Sequence, residues 1–450
     1  MEIAEMPVQR RGWWRVCALA LPVIGENLLQ TTIGIVDTWL VSRVSLAALA
    51  GVGAALQVIF VMIAGLSALS VGASVLVAQA YGAGDLVRAG NVARQALVWA
   101  LIFSLPVAVV GTLLSPQLVA LFGLAPDVAR IADDYLRVML ATITTLTVMT
   151  IAGGVLRGLG DTRTPLLVAA LANIIHVVLS WALISGELGL PALGVVGAAW
   201  GTVVSRLVAL LILVAVLLRG VRGVRISGRA GWRPQRVIIW GIGAIGLPAA
   251  MEELLVIVGF AMLTPIAAVL GTAALAAHRI VITLLAISFL PGFGLSLAAT
   301  TLVGQAVGAR VWRDARESVR VAMILGMVWM GGLGALFFLF AEPLVRFFGD
   351  DLQMVRDGVA ALRIVAPAQV LWAGTFIYAG ALRGTGDTRT PLIISSIAMW
   401  FVVGFAWLAV TFVQQSLMAV WVSFLIAAPL EAWLLRRAWL RTEMPERVAI

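Results

Sequence analysis

Apolar positions along this chain come in long unbroken runs, with the polar residues gathered in short gaps between them. Ala96–Leu114, Leu166–Ile184, Leu207–Leu218 (continuing back to Leu193) and Met323–Phe340 are examples. A run of about 18 residues is long enough to cross a hydrocarbon core about 30 Å thick as a helix. In lipid only helices and closed barrels satisfy their own backbone. A barrel would alternate apolar and polar positions, so these runs select helices. The pattern predicts spans at 16–41, 46–80, 93–114, 131–155, 162–185 and 191–218, then at 236–267, 272–306, 318–340, 357–381, 388–412 and 415–438. The expected fold class is an all-α integral membrane protein with twelve transmembrane helices.

Composition removes the soluble alternative. Apolar residues make up 62% of the 450 positions, against roughly half in soluble domains, and the mean hydropathy is +1.06. The net charge of +9 at first suggests a nucleic-acid partner. Its distribution says otherwise. All 31 basic residues are arginine; 23 fall in alternate loops and at the termini, six in the intervening loops, and two, Arg206 and Arg279, inside apolar runs. That is the positive-inside asymmetry, with both termini cytoplasmic and an even span count. It places the protein as a multi-pass resident of the cytoplasmic (inner) membrane. Dispersed arginines form no patch for nucleic acid. Arg10 and Arg11 ahead of an apolar run look like a signal peptide, but no small-residue cleavage site follows, so a retained first span is expected. The single Cys17 excludes a disulfide framework and a thiolate metal cluster.

An internal repeat gives the organisation. Arg157–Leu166 reads RGLGDTRTPL and Arg383–Leu392 reads RGTGDTRTPL, an offset of 383 − 157 = 226. The same offset pairs Pro22 with Pro248, Glu26 with Glu252, Gln79 with Gln305, Gly82 with Gly308, Gly123 with Gly349 and Trp181 with Trp407. The halves are duplicates of six spans each, so the second starts on the same side as the first and the repeats are parallel. The expected division is an N-terminal lobe, 1–227, and a C-terminal lobe, 228–450. The basic, glycine-rich stretch Arg219–Arg236 joins them. In the duplicated loops Asp161 and Asp387 suit helix capping, and Pro165 and Pro391 suit a first helical turn. Arg157, Arg163, Arg383 and Arg389 keep both loops on the cytoplasmic face. A well-capped loop and a conformational latch are both compatible with this pattern.

With these residues in hand the sequence resembles the multidrug and toxic compound extrusion (MATE) transporters over essentially its whole length. The paired Gly-x-Gly-Asp-Thr-Arg-Thr-Pro-Leu loops carry the resemblance. So do Val-Ala-Gln-Ala-Tyr-Gly-Ala-Gly-Asp at 77–85, Gly246-Leu247-Pro248, and Ala276-Ala277-His278-Arg279-Ile280. The resemblance implies two six-helix lobes in a V around a central cavity, exporting drugs or metabolites against H⁺ or Na⁺. Asp37 in the first span is most like the DinF-like bacterial branch, whose first-span aspartate is its proton-responsive residue.

Few acidic residues lie within apolar spans: Glu26, Asp37, Glu252, Glu253 and Glu431. Intramembrane charges are expensive and are functional candidates by default. Glu26 and Asp37 are 11 residues apart, which at 100° per residue leaves them about 20° apart on one helical face. Asn27, Gln30 and Gly34 lie near that arc, predicting a polar stripe that faces the lobe interior. From Arg15, Glu26 lies roughly 16 Å along the axis and Asp37 roughly 33 Å. Asp37 can therefore be an interfacial aspartate, or the proton site the resemblance implies, since a low dielectric favours a neutral carboxyl. Span five supplies Asn173, His176 and Ser180. The DinF-like pattern often has Asn and Asp at the last two, so a partner carboxylate for Asp37 is missing here. His176 is either a proton acceptor or a hydrogen-bonded core histidine. Na⁺-using relatives tend to carry glutamate where this chain has Val256. Glu252 and Glu253 stand one turn earlier, with a cation or substrate role for Glu252 and a pairing with Arg279 as the two readings. Arg206 and Glu431 read as satisfied structural charges.

The function expected from these residues is a secondary antiporter exporting amphipathic, often cationic organic compounds by alternating access, driven by H⁺ entry at Asp37. The alternatives are Na⁺ coupling through Glu252, or a flippase for lipids or lipid precursors. Glu26, Asp37, His176, Glu252 and Glu253 are the candidate ion-coupling groups. Asn27, Gln30, Gly34, Asn173, Ser180 and His278 are the candidate cavity residues. No metal centre or cofactor beyond the coupling ion is expected, and the partners are small-molecule substrates and the bilayer, with the protein acting as a monomer. An enzyme would need a nucleophile–base or metal constellation, and only two histidines are present.

Overall fold

Sixteen α-helices make up the described part of the chain. The structure, a computed structural model, describes residues 8–228, 231–413 and 416–443, with side chains from residue 12 onward. The side chains of Arg10 and Arg11, and all of Arg229 and Arg447, lie outside the described residues. In chain order the helices are α1 (Val8–Ser42), α2 (Leu46–Gly82), α3 (Leu86–Leu113), α4 (Ser115–Ala120), α5 (Pro126–Ala141), α6 (Ile143–Gly158), α7 (Arg163–Ser185), α8 (Val195–Arg219), α9 (Arg236–Ala268), α10 (Thr272–Gly308), α11 (Trp312–Leu339), α12 (Ala341–Arg346), α13 (Leu352–Val365), α14 (Ala368–Thr385), α15 (Arg389–Leu408) and α16 (Leu417–Arg441). Among the described residues the only extended pairing is the bridge between Val221 and Val224.

Ten of these helices are single spans by length and composition, and the bent pairs α5–α6 and α13–α14 bring the number to twelve. Spans four and ten, expected to be continuous, are therefore broken, by 50° and 53°. Pro367 at the second break cannot continue a helix. At the first, the Thr142 hydroxyl takes the carbonyls of Val138 and Met139, competing with the helical backbone. Large apolar side chains such as Phe60, Leu113, Leu167, Ile397 and Leu430 are more than half exposed, an arrangement lipid tolerates and water does not.

Contacts divide the chain into two compact units, Gly25–Ala250 and Met1–Ile24 with Met251–Val448. This division departs from the 227/228 boundary of the sequence halves. By contacts the start of α9 groups with the first unit and the start of α1 with the second. The two divides, Ile24/Gly25 and Ala250/Met251, are themselves 226 residues apart.

Each unit is held by the same small-residue device. In the first, Gly154 and Gly158 of α6 lie so close to Ser70 and Ser74 of α2 that a Cβ on either would strike them. In the second, Gly380 and Gly384 of α14 lie equally close to Ser296 and Thr300 of α10. These are the same positions shifted by 226. In lipid, helix association relies on such close backbone approach, because no hydrophobic drive separates helix from solvent.

Candidate functional site

Asp37 projects from α1 onto His176 of α7. The Asp37 Oδ1 to His176 Nε2 distance is 2.5 Å, and the Ser180 hydroxyl stands 3.5 Å from the same nitrogen. The imidazole is 5% exposed and the carboxylate 32%. One turn along α7, the Asn173 side-chain amide donates to the Leu29 carbonyl of α1 at 3.1 Å. Spacing of three, four and seven residues puts Asn173, His176 and Ser180 along one side of α7, and that side grips α1. Tyr135 of α5 and Thr202 of α8 are buried and face one another, and Tyr135 and Arg206 lie within electrostatic reach of Asp37. The first unit thus contains a polar site built from α1, α5, α7 and α8 within apolar walls. Tyr135 and Thr202 were missed by sequence reasoning. Arg206, expected as a satisfied structural charge, borders this site on α8.

A second constellation involves the duplicated loops. Arg157 Nη1 lies 3.2 Å from both carboxylate oxygens of Glu26, with the two side chains 15% and 14% exposed. Arg383 Nη2 lies 2.7 Å from Glu252 Oε1, at 25% and 6% exposure. Adding 226 to the first pair gives the second. Glu252 therefore pairs with Arg383; the expected partner, Arg279, is exposed. The reason is geometric. Arg383 lies half-buried in the last turn of α14, whereas Arg279 of α10 is exposed. The second arginines, Arg163 and Arg389, are exposed. Asp161 accepts from the Thr164 backbone N–H (3.1 Å) and hydroxyl (2.6 Å), and Asp387 accepts from the Thr390 N–H (3.0 Å). Gly160 and Gly386 turn each loop at φ +82° and +96°, and Pro165 and Pro391 are buried.

Other expected positions fall elsewhere. Gln30 and Gly34 are exposed and Asn27 is half-buried, so the polar residues of α1 do not form one inward stripe. Glu26, Asp37, Gln30, Gly34 and Asn27 span an arc of roughly 100° about the helix, of which Glu26 and Asp37 take the packed edge. Gly34 lies on the opposite edge, with Thr31, Ile35, Thr38, Trp39 and Ser42, along an open groove of about 490 Å³. His278, expected in the cavity, is packed against an aromatic side chain. It is fully buried, rests on Trp421 with ring centroids 5.3 Å apart, and neither ring nitrogen has a partner. Glu253 is exposed. Glu431 faces Ser395, with Glu252 as a neighbouring charge. Among the described residues no three His, Cys, Asp or Glu side chains gather as metal ligands.

The MatE family profile matches residues 22–182 and again 248–408. The chain belongs to the MATE family. The two matches are 226 residues apart, so the profile recognises each half of this MATE chain separately. Among its relatives, the Probable multidrug resistance protein NorM of Thermotoga maritima is 34% identical over 94% of this chain and 90% of its own length. The Probable multidrug resistance protein YoeA of Bacillus subtilis is 24% identical over 94% of each. Among solved structures, an outward-facing multidrug resistance MATE transporter of the MOP superfamily aligns with TM-score 0.86 at 26% identity, over 96% of this chain and 97% of that one. A MOP superfamily transporter from Pyrococcus furiosus, described by a reversed polarity of its binding pocket, aligns with TM-score 0.85 at 25% identity, over 96% and 97%. The chain is a multi-pass membrane transporter of the multidrug efflux family, and not an enzyme.

Proposed function

We propose that this MATE transporter is a proton-driven antiporter in which Asp37 and His176 carry the coupling proton. The observation that carries the reading is the 2.5 Å contact between them inside the first unit. A carboxylate and an imidazole on one hydrogen bond share one proton and accept another as an imidazolium–carboxylate pair, a change of one unit charge beside a buried imidazole. Arg206 and Tyr135 border it, so the site already holds the charges and donors that such a change would bias. A ligand or proton shifts a conformational equilibrium only through differential affinity for the two states. Here the differential would come from making and breaking the grip of α7 on α1. Substrates exported in exchange are amphipathic, often cationic organic compounds, and the protein works as a monomer in the cytoplasmic membrane with both termini inside. That topology rests on the arginine distribution.

The Na⁺ reading centred on Glu252 is weaker because Arg383 already neutralises that carboxylate at 2.7 Å. Proteoliposomes loaded with a fluorescent cationic substrate separate the two. A pH gradient alone should drive uphill transport, a Na⁺ gradient at equal pH should not, and Asp37→Asn should abolish the former while eluting as a folded monomer. Transport driven by Na⁺ alone and lost in Glu252→Gln would overturn the assignment.

A further inference from the structure

We propose that the linker strap 219–236 is a docking surface for the anionic phospholipid headgroups of the leaflet it borders. Its sequence, RGVRGVRISGRAGWRPQR, holds six arginines and no acidic residue. Arg219, Arg222, Arg225, Arg233 and Arg236 are described, and all five are exposed. None belongs to any ion pair among the described residues. The basic stretch 310–320, by contrast, has acidic residues interspersed among its arginines. In 310–320, four arginines stand with Asp314 and Glu317; Asp314 pairs with Arg15 and Arg316 lies over Trp312.

The strap is anchored, which separates it from a solvated tail. Gln95, fully buried in α3, donates to the carbonyls of Gly231 (2.6 Å) and Arg233 (2.7 Å) and accepts from the Gln235 N–H (2.8 Å). The Asn91 amide donates to Gln235 at 3.2 Å. Val224 and Ile226 are 1% exposed within the core of the first unit. Gly90 of α3 has no side chain to strike the Arg225 carbonyl that lies against it. The backbone that carries the five described arginines is therefore anchored to the first unit, and binding does not have to order it.

Position decides what the arginines face. Arg219 is the last residue of α8 and Arg236 the first of α9, both of which span the membrane. The strap between two span ends lies at headgroup depth. Trp232, Val237 and Trp240, at 36%, 68% and 77% exposure, flank it. Exposed tryptophan beside arginine is the composition of a membrane–water interface. Clustered arginines next to a span bind anionic headgroups through the phosphate oxygens, which the guanidinium fork matches. A free phosphate would use the arginines and leave the tryptophans without a role. The inference depends on neither the cargo nor the coupling ion.

The test uses full-length protein purified in neutral detergent and exchanged against mixed micelles of phosphatidylglycerol and phosphatidylcholine, then stripped by a fixed wash. Native mass spectrometry counts retained lipids. Wild type should retain phosphatidylglycerol over phosphatidylcholine by about tenfold, and the excess should vanish in high salt as screening predicts. Arg222→Gln/Arg225→Gln/Arg233→Gln should fall to parity, and Arg310→Gln/Arg313→Gln/Arg320→Gln should keep most of the preference. Parity in the wild type, or an equal loss in both triple variants, would refute the strap as the site. If the strap variant fails to fold, melting of the wild type against short-chain phosphatidylglycerol and phosphatidylcholine decides. A rise with the anionic lipid alone, lost in high salt, supports the proposal, and equal rises overturn it.

Discussion

Replacing Arg157 by Gln should destabilise the first unit strongly, and replacing Glu26 as well should recover part of that loss. Arg157 meets both oxygens of Glu26 at 3.2 Å with each side chain about six-sevenths buried. At that distance, with an effective dielectric of about 20, the gross attraction is about 5 kcal/mol. The desolvation of both charges offsets much of it, so the net value of the pair is small. Losing one partner is different, because it leaves a buried charge alone and costs about 3–5 kcal/mol. A unit of about 226 residues loses roughly 2–4 °C in melting temperature per kcal/mol. Arg157→Gln should therefore melt several degrees, and by this arithmetic about 6–20 °C, below wild type. Arg157→Gln/Glu26→Gln should melt above the single variant. The same ordering should hold for Arg383→Gln and Arg383→Gln/Glu252→Gln. Arg163→Gln, at an exposed arginine of the same loop, should melt with the wild type. The assay is thermal unfolding in detergent followed by intrinsic tryptophan fluorescence. Equal melting of Arg157→Gln and Arg163→Gln, or a double variant that loses the sum of its two singles, would remove the ion pair from the account.

The remaining predictions are simpler. Cysteines replacing the exposed Arg163 and Arg389, in a chain without Cys17, should react with impermeant maleimide only from the cytoplasm; these sites serve better than Gly160 and Gly386, whose positive φ a cysteine would strain. Reaction of either in intact cells would overturn the parallel-repeat topology. Gly158→Ala and Gly384→Ala should each lower the melting temperature, because the new Cβ would lie 2.5 and 2.6 Å from the carbonyl oxygens of Ser74 and Thr300, an overpacking cost of about 1–3 kcal/mol that exceeds the gain in helix propensity. Gly53→Ala, with open space around it, should not. His278→Phe should hold or raise the melting temperature and leave proton-driven efflux intact, since it removes two unpartnered buried nitrogens worth about 1–3 kcal/mol of desolvation. Loss of coupling in a stable His278→Phe protein would contradict that reading.

Most of the architecture was legible because the bilayer leaves few choices. Unbroken apolar runs must be helices, and a register of 226 held over many spans must be a duplication. Pairings across the fold were not legible. Glu26 and Arg157 lie 131 residues apart and Asp37 and His176 lie 139 apart, and no periodicity relates positions on different helices. Helical-wheel reasoning placed Glu26 and Asp37 on one face, and both are on the packed side of α1. It placed Gln30 and Gly34 there too, and they are exposed, because the contact with α7 covers a narrower arc than the polar residues occupy. Which arginine of each loop points inward was likewise hidden, since Arg157 and Arg163 differ only in which side of a glycine turn they stand on.

The repeat itself indicates which features are scaffold and which are site. The ion pairs, the capped glycine turns and the close glycine contacts all occur twice. The polar site occurs once. Shifted by 226, Asp37 becomes Leu263, Tyr135 becomes Ala361, Asn173 becomes Met399, His176 becomes Val402, Ser180 becomes Ala406, Thr202 becomes Ala428 and Arg206 becomes Ala432. Leu263, Ala361, Val402, Ala406 and Ala428 are all 2% exposed or less. The same helices at the same positions in the second unit thus make a dry apolar core. A residue needed for folding would be expected in both halves, since both build the same packing. A charged and hydrogen-bonded cluster found in one half, where its counterpart is closed by aliphatic side chains, is not required by the fold. Its cost in placing Asp37, His176 and Arg206 within apolar spans therefore needs another explanation. Coupling supplies one, because a carrier with two lobes needs the ion-dependent bias in only one of them to change their equilibrium.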